Sequence, residues 1–465
     1  MGEDRISKLP DGVIIHMLSF LPTKDVVRTC LLSKRWKLIW YSVPTLFFSN
    51  VTSPDLTWCW DIEMFYNFVD NCLEHLKKGF VVDSIITSFK LKMFDCYHRS
   101  KAGLLDKWLA FVVESKVREI HLRLNLDMDL ENFDEYYYCL PKILQSATYL
   151  TVLELNCVEL DTSCSFNFPC LKTLSLEDVR NLETAEDDGV VKFLLGCSSL
   201  EQLLLLDYVF LVTDHDVQFR LHSLSLKFME LKRTYDYYKL NIQVEAVNLE
   251  SLVLHGVILD EMNLSSCKKI RNLSLVDCPE SLRPSIQALI SDVPLLESLT
   301  LSKCDADLDH LKITSQYLKS FNFKYSDMIN VVTIESALDL DYFSYEGYIN
   351  CRISIDSFNL LNGKIVIFEQ QENYDTNWFT NMMKFLSNLN CSWNIVSLHV
   401  RKDKALILPE NFKTICPSPL LNWKHLRVVI SEYRKPYMKV LDLKDSLMWM
   451  SSSLETLSIN GKDVF

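Results

Sequence analysis

Leucine recurs along this chain as L-x-x-L-x-L at bounded intervals, and that spacing limits the fold more than any other feature. Clear copies begin at Leu150, Leu171, Leu200, Leu221, Leu249, Ile270 and Leu296, with starts 21, 29, 21, 28, 21 and 26 residues apart. Degenerate copies begin at Ile86, Val117, Leu318, Leu340, Asn362, Ile395, Trp423 and Leu454. Apolar residues two apart share one face of a strand, so each copy reads as a short strand with its leucines turned inward. A self-similar unit of this length cannot bury its apolar face alone and must stack on its neighbours. The expectation is an α/β solenoid with a parallel sheet on its concave face. Short turns should return by a loop and long turns by a helix. Residues 187–195 and Ser285 to Ile290 fit such return helices.

Composition then removes whole classes of chemistry. The 10 glycines never approach closer than Gly189 and Gly196, which excludes G-x-G-x-x-G, the P-loop and the G-x-S-x-G elbow. The 15 cysteines include no pair closer than Cys164 and Cys170, so C-x-x-C redox motifs and zinc knuckles are absent. Cys278 and Cys304, three positions past the last leucine of their copies, read as packing residues beside Val158, Val179, Met229 and Val257. The net charge of −13 repels phosphate backbones, so nucleic acid is not expected as a partner. No signal segment and no membrane-length apolar run is seen, and the expected setting is intracellular, nucleus or cytoplasm. Cys96 near His98 reads as an incidental pair. The acidic stretches Asp127 to Glu135 and Glu183 to Asp188 read as solvated loops. No catalytic residue, metal site or cofactor is expected.

The first forty residues carry a different pattern. Pro10-Asp11 opens a helix with Ile14, Met17, Leu18 and Leu21 on one face. Thr23 can cap a second, with Asp25 in its first turn and Val26, Val27 and Cys30 as its apolar face. Ser33 can cap a third, bearing Trp36, Ile39 and Trp40. Leu9, Ile15, Leu31 and Leu32 fall outside these stripes, and so small a unit favours a partner. The strings Asp4-Arg5-Ile6-Ser7-x-Leu9-Pro10-Asp11, Leu18-Ser19-Phe20-Leu21-Pro22-Thr23-Lys24-Asp25 and Leu31-Leu32-Ser33-Lys34-Arg35-Trp36, with Trp40, resemble the F-box of plant F-box/leucine-rich-repeat proteins. Phe65 to Asp70 and Trp108-Leu109, ahead of Val117 to Leu122, resemble the first turns of the same family.

The resemblance implies a substrate-recognition subunit of an SCF (Skp-cullin-F-box) ubiquitin ligase, itself non-catalytic. Leu9 and Pro10 would enter the groove of a Skp-family adaptor. Ile14, Leu18, Leu21, Pro22, Val26, Val27, Cys30 and Leu32 would supply or support apolar contact, with Trp36 and Trp40 bracing the third helix. Through the adaptor the partners would be a cullin and a RING subunit; no membrane is involved. The basic cluster Lys34-Arg35-Trp36-Lys37 reads as a solvated helix face. The expected organisation is an F-box over 1–48, a helical lead-in with the first strand over 49–110, the repeat solenoid over 111–325, and degenerate repeats with a cap over 326–465. Whether 364–465 continue the solenoid or fold apart, as an FBD region does in some relatives, is left open. Outward strand positions are the expected protein-target surface, with Glu154, Glu177, Leu204, Leu206, Lys227, Val253, His255 and Lys324 as candidates. Two other readings stand beside this one: a non-degradative interaction scaffold and a small-molecule co-receptor.

Overall fold

The structure is a computed structural model. It describes residues 5–51, 61–79, 86–94, 97–125, 137–161, 163–181, 189–208, 217–234, 240–257, 262–278, 285–304, 310–324, 331–357, 359–369, 374–389, 391–419, 421–432 and 440–465. Cys96 and both acidic stretches singled out above, like Asp4, lie outside the described residues. The chain divides into two compact units, 1–238 and 239–465.

The first unit opens with helices α1 (Asp11–Leu18), α2 (Thr23–Thr29) and α3 (Lys34–Trp40). It continues with β1 (Thr45–Ser49), α4 (Ile62–Gly79), β2 (Ser88–Phe94), α5 (Ala102–Glu114), β3 (Glu119–Asn125), β4 (Tyr138–Cys139) and β5 (Val152–Leu160). Then follow β6 (Thr173–Asn181), α6 (Gly189–Leu195), β7 (Gln202–Leu206), β8 (Val217–His222) and β9 (Phe228–Lys232). Strands β1, β2, β3, β5, β6, β7 and β9 pair in that order, all parallel. Their register aligns the inward residues in two buried rows. One is Leu46, Phe89, Ile120, Leu153, Leu174, Leu203 and Met229; the other is Phe48, Leu91, Leu122, Leu155, Leu176, Leu205 and Leu231. A buried leucine contributes roughly 1.5–3 kcal/mol, so these rows are what holds successive turns together.

The second unit contains β10 (Leu240–Glu245), β11 (Ser251–His255), β12 (Met262–Asn263), β13 (Asn272–Val276), α7 (Ser285–Asp292), β14 (Ser298–Ser302) and β15 (His310–Thr314). Next come β16 (Ser320–Lys324), β17 (Val331–Glu335), β18 (Tyr342–Gly347), β19 (Arg352–Ile355), β20 (Leu361–Ile367) and α8 (Thr376–Asn388). The last elements are β21 (Trp393–Val400), α9 (Glu410–Ile415), β22 (His425–Ile430), α10 (Val440–Met450), β23 (Thr456–Ile459) and β24 (Lys462–Asp463). Parallel pairing runs β11, β13, β14, β16, β18, β20, β21, β22, β23, and only β24 turns back antiparallel. Strands β20 to β23 extend the repeat ladder into 364–465. Both units are α/β repeat solenoids.

A backbone device recurs at the end of the strands. The residue two past the last inward leucine takes a positive φ: Cys157 (57°), Asp178 (50°), Asp207 (53°), Gly256 (67°), Asp277 (47°), Lys303 (51°) and Ser336 (57°). This left-handed step is disfavoured for residues with a Cβ. It is tolerated here because it turns the next residue inward, where Val158, Val179, Tyr208, Val257, Cys278, Cys304 and Ala337 are buried. Cys278 and Cys304 are thus packing residues; the hydrogen bond to Cys304, together with burial, raises the Cys278 thiol.

Several sequence expectations need correction. The copy begun at Leu221 is out of register: Leu224 is exposed, and the strand is β9, with Met229 opposite Leu203 and Leu231 opposite Leu205. The true unit is Leu226-x-x-Met229-x-Leu231, so Met229 lies in a strand and not three positions beyond one. The copies begun at Asn362 and Ile395 slip by two, because Gly363 faces Phe343 and Val396, and Ile365 faces Tyr345 and Leu398. Returns are not only loops and helices: β15, β17 and β19 pair as a second parallel sheet. No described helix is long and apolar enough to cross a membrane.

Candidate functional site

The three N-terminal helices form as their sequence dictates, with two exceptions. Pro10 precedes α1, Asp25 lies in the first turn of α2, and the Ser33 hydroxyl accepts from the Trp36 amide at 3.4 Å as the cap of α3. Thr23, however, does not cap α2. It is the helix's first residue, buried, and its Oγ1 accepts from the Phe47 amide at 2.8 Å, tying α2 to β1. Helix α1 ends at Leu18, so Leu21 is not on its face.

Burial divides the proposed docking residues into two sets. Ile14, Leu18, Val26, Trp36 and Trp40 are buried and form the core of the helices themselves. Leu9, Pro22, Val27 and Cys30 are half-buried, while Pro10, Leu21 and Leu32 are exposed. Burial raises the Cys30 thiol, which fits a packing group better than a nucleophile. Met17, expected on the buried stripe, is exposed. On α1 it joins Val13 at i and i+4 in a second, outward stripe, and Phe20, just past the helix, is exposed as well.

Taken together, eight large apolar side chains between Ile6 and Leu38 stand 40–90% exposed: Ile6, Val13, Met17, Phe20, Leu21, Leu31, Leu32 and Leu38. Among the described residues this short segment holds eight of the 21 such side chains, a density that single scattered surface apolar residues do not give. Ile6, Val13, Met17, Phe20, Leu31 and Leu38 were not among the sequence-derived docking residues. Leu31, standing outside every helical stripe, was the one with a readable signal.

Arg35 is not a merely solvated cation. Its guanidinium donates to Asp11 Oδ1 at 2.8 Å, to the Leu9 carbonyl at 2.6 Å and to the Ser7 carbonyl, while Trp36 Nε1 donates to Ser7 Oγ at 3.1 Å. Two side chains of α3 therefore fix the path of the segment that carries Leu9 and Pro10.

The outward strand positions form ladders. In the first unit one row runs Phe47, Lys90, His121, Glu154, Ser175, Leu204, Glu230 and the next Ser49, Lys92, Arg123, Asn156, Glu177, Leu206, Lys232. Glu154 receives His121 Nδ1 at 2.8 Å and Arg123 at 3.3 Å; the His121 hydrogen bond is the main reason its carboxyl lies below the usual carboxylate range. Leu204 and Leu206 are neighbours on β7, half-exposed. Lys227 is one residue ahead of β9 and pairs with Glu201 at 2.9 Å, so it does not hold the outward strand place expected of it; Phe228, Glu230 and Lys232 do. Lys90, Lys92, His121 and Arg123 make a basic group that was not among the expected target-surface candidates. In the second unit Val253 is half-exposed, His255 Nε2 meets Asp277 at 2.8 Å, and Lys324 pairs with Glu346 at 3.2 Å. Among the described residues no cluster of His, Cys, Asp or Glu could hold a metal ion.

Comparison with known proteins gives two family matches. Residues 6–48 match the F-box domain, and residues 83–360, more than half of the chain, match the At1g61320/AtMIF1 LRR domain. Among similar Arabidopsis thaliana proteins is the F-box/FBD/LRR-repeat protein At2g04230, 31% identical over 316 residues, which cover 65% of this chain and 63% of that protein. F-box/FBD/LRR-repeat protein At3g26920 is 28% identical over 348 residues, 71% of this chain and 72% of its own length. F-box/FBD/LRR-repeat protein At5g18770 is 32% identical over 247 residues, 52% and 46% respectively. The chain thus spans between about half and three-quarters of these relatives. F-box proteins in plants generally serve as substrate adaptors of SCF ligases, and F-box/LRR proteins are typically non-catalytic.

Proposed function

Because the chain belongs to the plant F-box/leucine-rich-repeat family, we propose that it is a substrate-recognition subunit of an SCF-type ubiquitin ligase. Its N-terminal helices dock a Skp-family adaptor, and its outward strand positions hold a protein target. The observation that carries this reading is the set of eight apolar side chains displayed on and between three helices that already have a core of their own. Docking removes that surface from water. Arg35, by holding the Leu9 carbonyl, presents Leu9 and Pro10 in a fixed path and lowers the entropy lost on binding. A target seated on the repeat strands is held near the ubiquitin-carrying subunit and reacts at raised effective concentration. The chain itself moves no proton and makes no covalent bond.

The test is co-expression with a Skp-family adaptor, followed by size-exclusion chromatography of wild type, Leu9→Ala/Pro10→Ala and Leu31→Asp/Leu32→Asp. A one-to-one complex with wild type that the Asp variant loses while remaining folded is the expected outcome. Wild type eluting alone refutes it. A complex that forms but supports no ubiquitylation of a captured partner leaves the non-degradative scaffold as the better account.

A further inference from the structure

A cavity of the second unit lies between the strand β19, the chain leading into it, and helix α8, away from the strand face discussed above. Its volume is about 430 Å³, within the range of pockets that take a small organic ligand and too small for a folded partner. We propose that this cavity binds a small aromatic anion, the charged group held by Arg352 and Lys384 and the ring held between aromatic walls.

The walls are set before any ligand arrives. Trp378 donates its indole N–H to the Ala405 carbonyl at 3.1 Å and meets the ring of Tyr374 edge-on at 5.4 Å. Phe385, buried, packs on Tyr345 with ring centroids 5.2 Å apart. Phe368 meets Tyr348 edge-on at 5.5 Å. Four of the lining residues therefore offer ring faces or edges whose rotamers are already fixed, so little entropy is lost on binding.

The polar lining is the opposite: it is unspent. Among the described residues Arg352 and Lys384 make no ion pair or side-chain hydrogen bond. The side chains of Asn350, Asn377, Asn381 and Asn388 likewise make none. Two cations and four carboxamides converge on one hollow, and the one carboxylate there, Asp375, already accepts from the Trp378 amide at 2.9 Å as the cap of α8. A negative group gains charge-assisted bonds from both cations, with amide donors at its flanks. A cation or a plain hydrocarbon would leave these groups unmatched. The inference does not depend on adaptor docking.

The probe is 8-anilinonaphthalene-1-sulfonate, compared with N-phenyl-1-naphthylamine, which has the same rings and no sulfonate, on the full chain. Wild type is expected to show a saturable sulfonate site. Arg352→Gln/Lys384→Gln should weaken it by about tenfold or more while leaving the neutral analogue unchanged. Asn381→Trp, which keeps both cations and fills the space, should abolish it. All three positions are exposed, so melting temperatures should stay at the wild-type value. Absence of a saturable site, equal affinity for the two probes, or sulfonate binding indifferent to either variant overturns the proposal. The last result would assign the dye to another surface, such as the exposed apolar side chains near the N-terminus.

Discussion

Truncating Leu31 to alanine separates docking from folding more cleanly than any other substitution in the N-terminal helices. Leu31 is 90% exposed, so in the free chain the truncation removes almost no packing and stability should change by less than about 0.5 kcal/mol. If docking buries that side chain, the variant loses roughly 1.5–3 kcal/mol of binding, or about 10- to 100-fold in affinity. Leu18→Ala has the opposite profile. At 4% exposure it opens a cavity in the helices' own core, costing roughly 2–5 kcal/mol of stability. The assay pairs calorimetric titration against a purified Skp-family adaptor with urea denaturation of each variant alone. Because the contact is apolar, the loss for Leu31→Ala should also be insensitive to salt. A Leu31→Ala protein that folds and binds like wild type would falsify the assignment of the exposed set as the docking surface.

Three further outcomes are expected. Met229→Ala should destabilise by about 2–5 kcal/mol while Leu224→Gln stays within about 0.5 kcal/mol; comparable losses in urea unfolding would restore the Leu221 register. Glu159 is a 3%-exposed carboxylate held by Arg180 Nε at 3.0 Å and Arg99 at 3.1 Å. Arg180→Ala strands that charge and should cost about 3 kcal/mol, more than Glu159→Leu, which leaves two cations that can reach water; the reverse ranking in thermal melts refutes the assignment. Glu154 has its folded-state pKa depressed from 4.5, chiefly by the His121 hydrogen bond, so its stabilisation is present above that value and lost as pH falls through the lower folded value. The urea midpoint of wild type over Glu154→Gln should therefore shrink below pH 4.5, and a gap that widens on acidification would contradict this pairing.

The ladder was legible because its determinant is local. A strand one residue out of phase turns its whole apolar set to the other face, and leucine at both inward positions leaves little ambiguity. Where the inward residues are not leucine, the reading slipped. At Leu221 three leucines satisfied the pattern while the structure took Leu226, Met229 and Leu231, because Met fills an inward position as well as Leu does. At Asn362 the true inward residue is Gly363, which no apolar pattern can reveal. Its reason is tertiary: a Cβ there would lie 2.2 Å from the ring of Trp393, which occupies the space itself. The earliest strand, β1, was also missed: Leu46 and Phe48 fell within the span 1–48 assigned to the F-box, and the repeat was read only from Ile86.

The site was less legible than the fold because sequence marks apolar residues without saying which way they face. Val13 and Ile14 are adjacent, and Met17 and Leu18 likewise, yet one of each pair is core and the other surface. The helical period allows either stripe to be the inner one, and the choice is made by α3, whose Trp36 and Ile39 are buried with Ile14 and Leu18. The same limit hid the basic group on the strand face. Lys90 and Arg123 are 33 positions apart in sequence but lie on neighbouring strands, with Lys92 directly opposite Arg123 and Lys90 opposite His121. Composition, with its net charge of −13, pointed away from any such cluster. Net charge is a sum over the chain, whereas a target meets one face. An acidic segment of a partner can therefore find a favourable surface on a protein that, taken whole, would repel it.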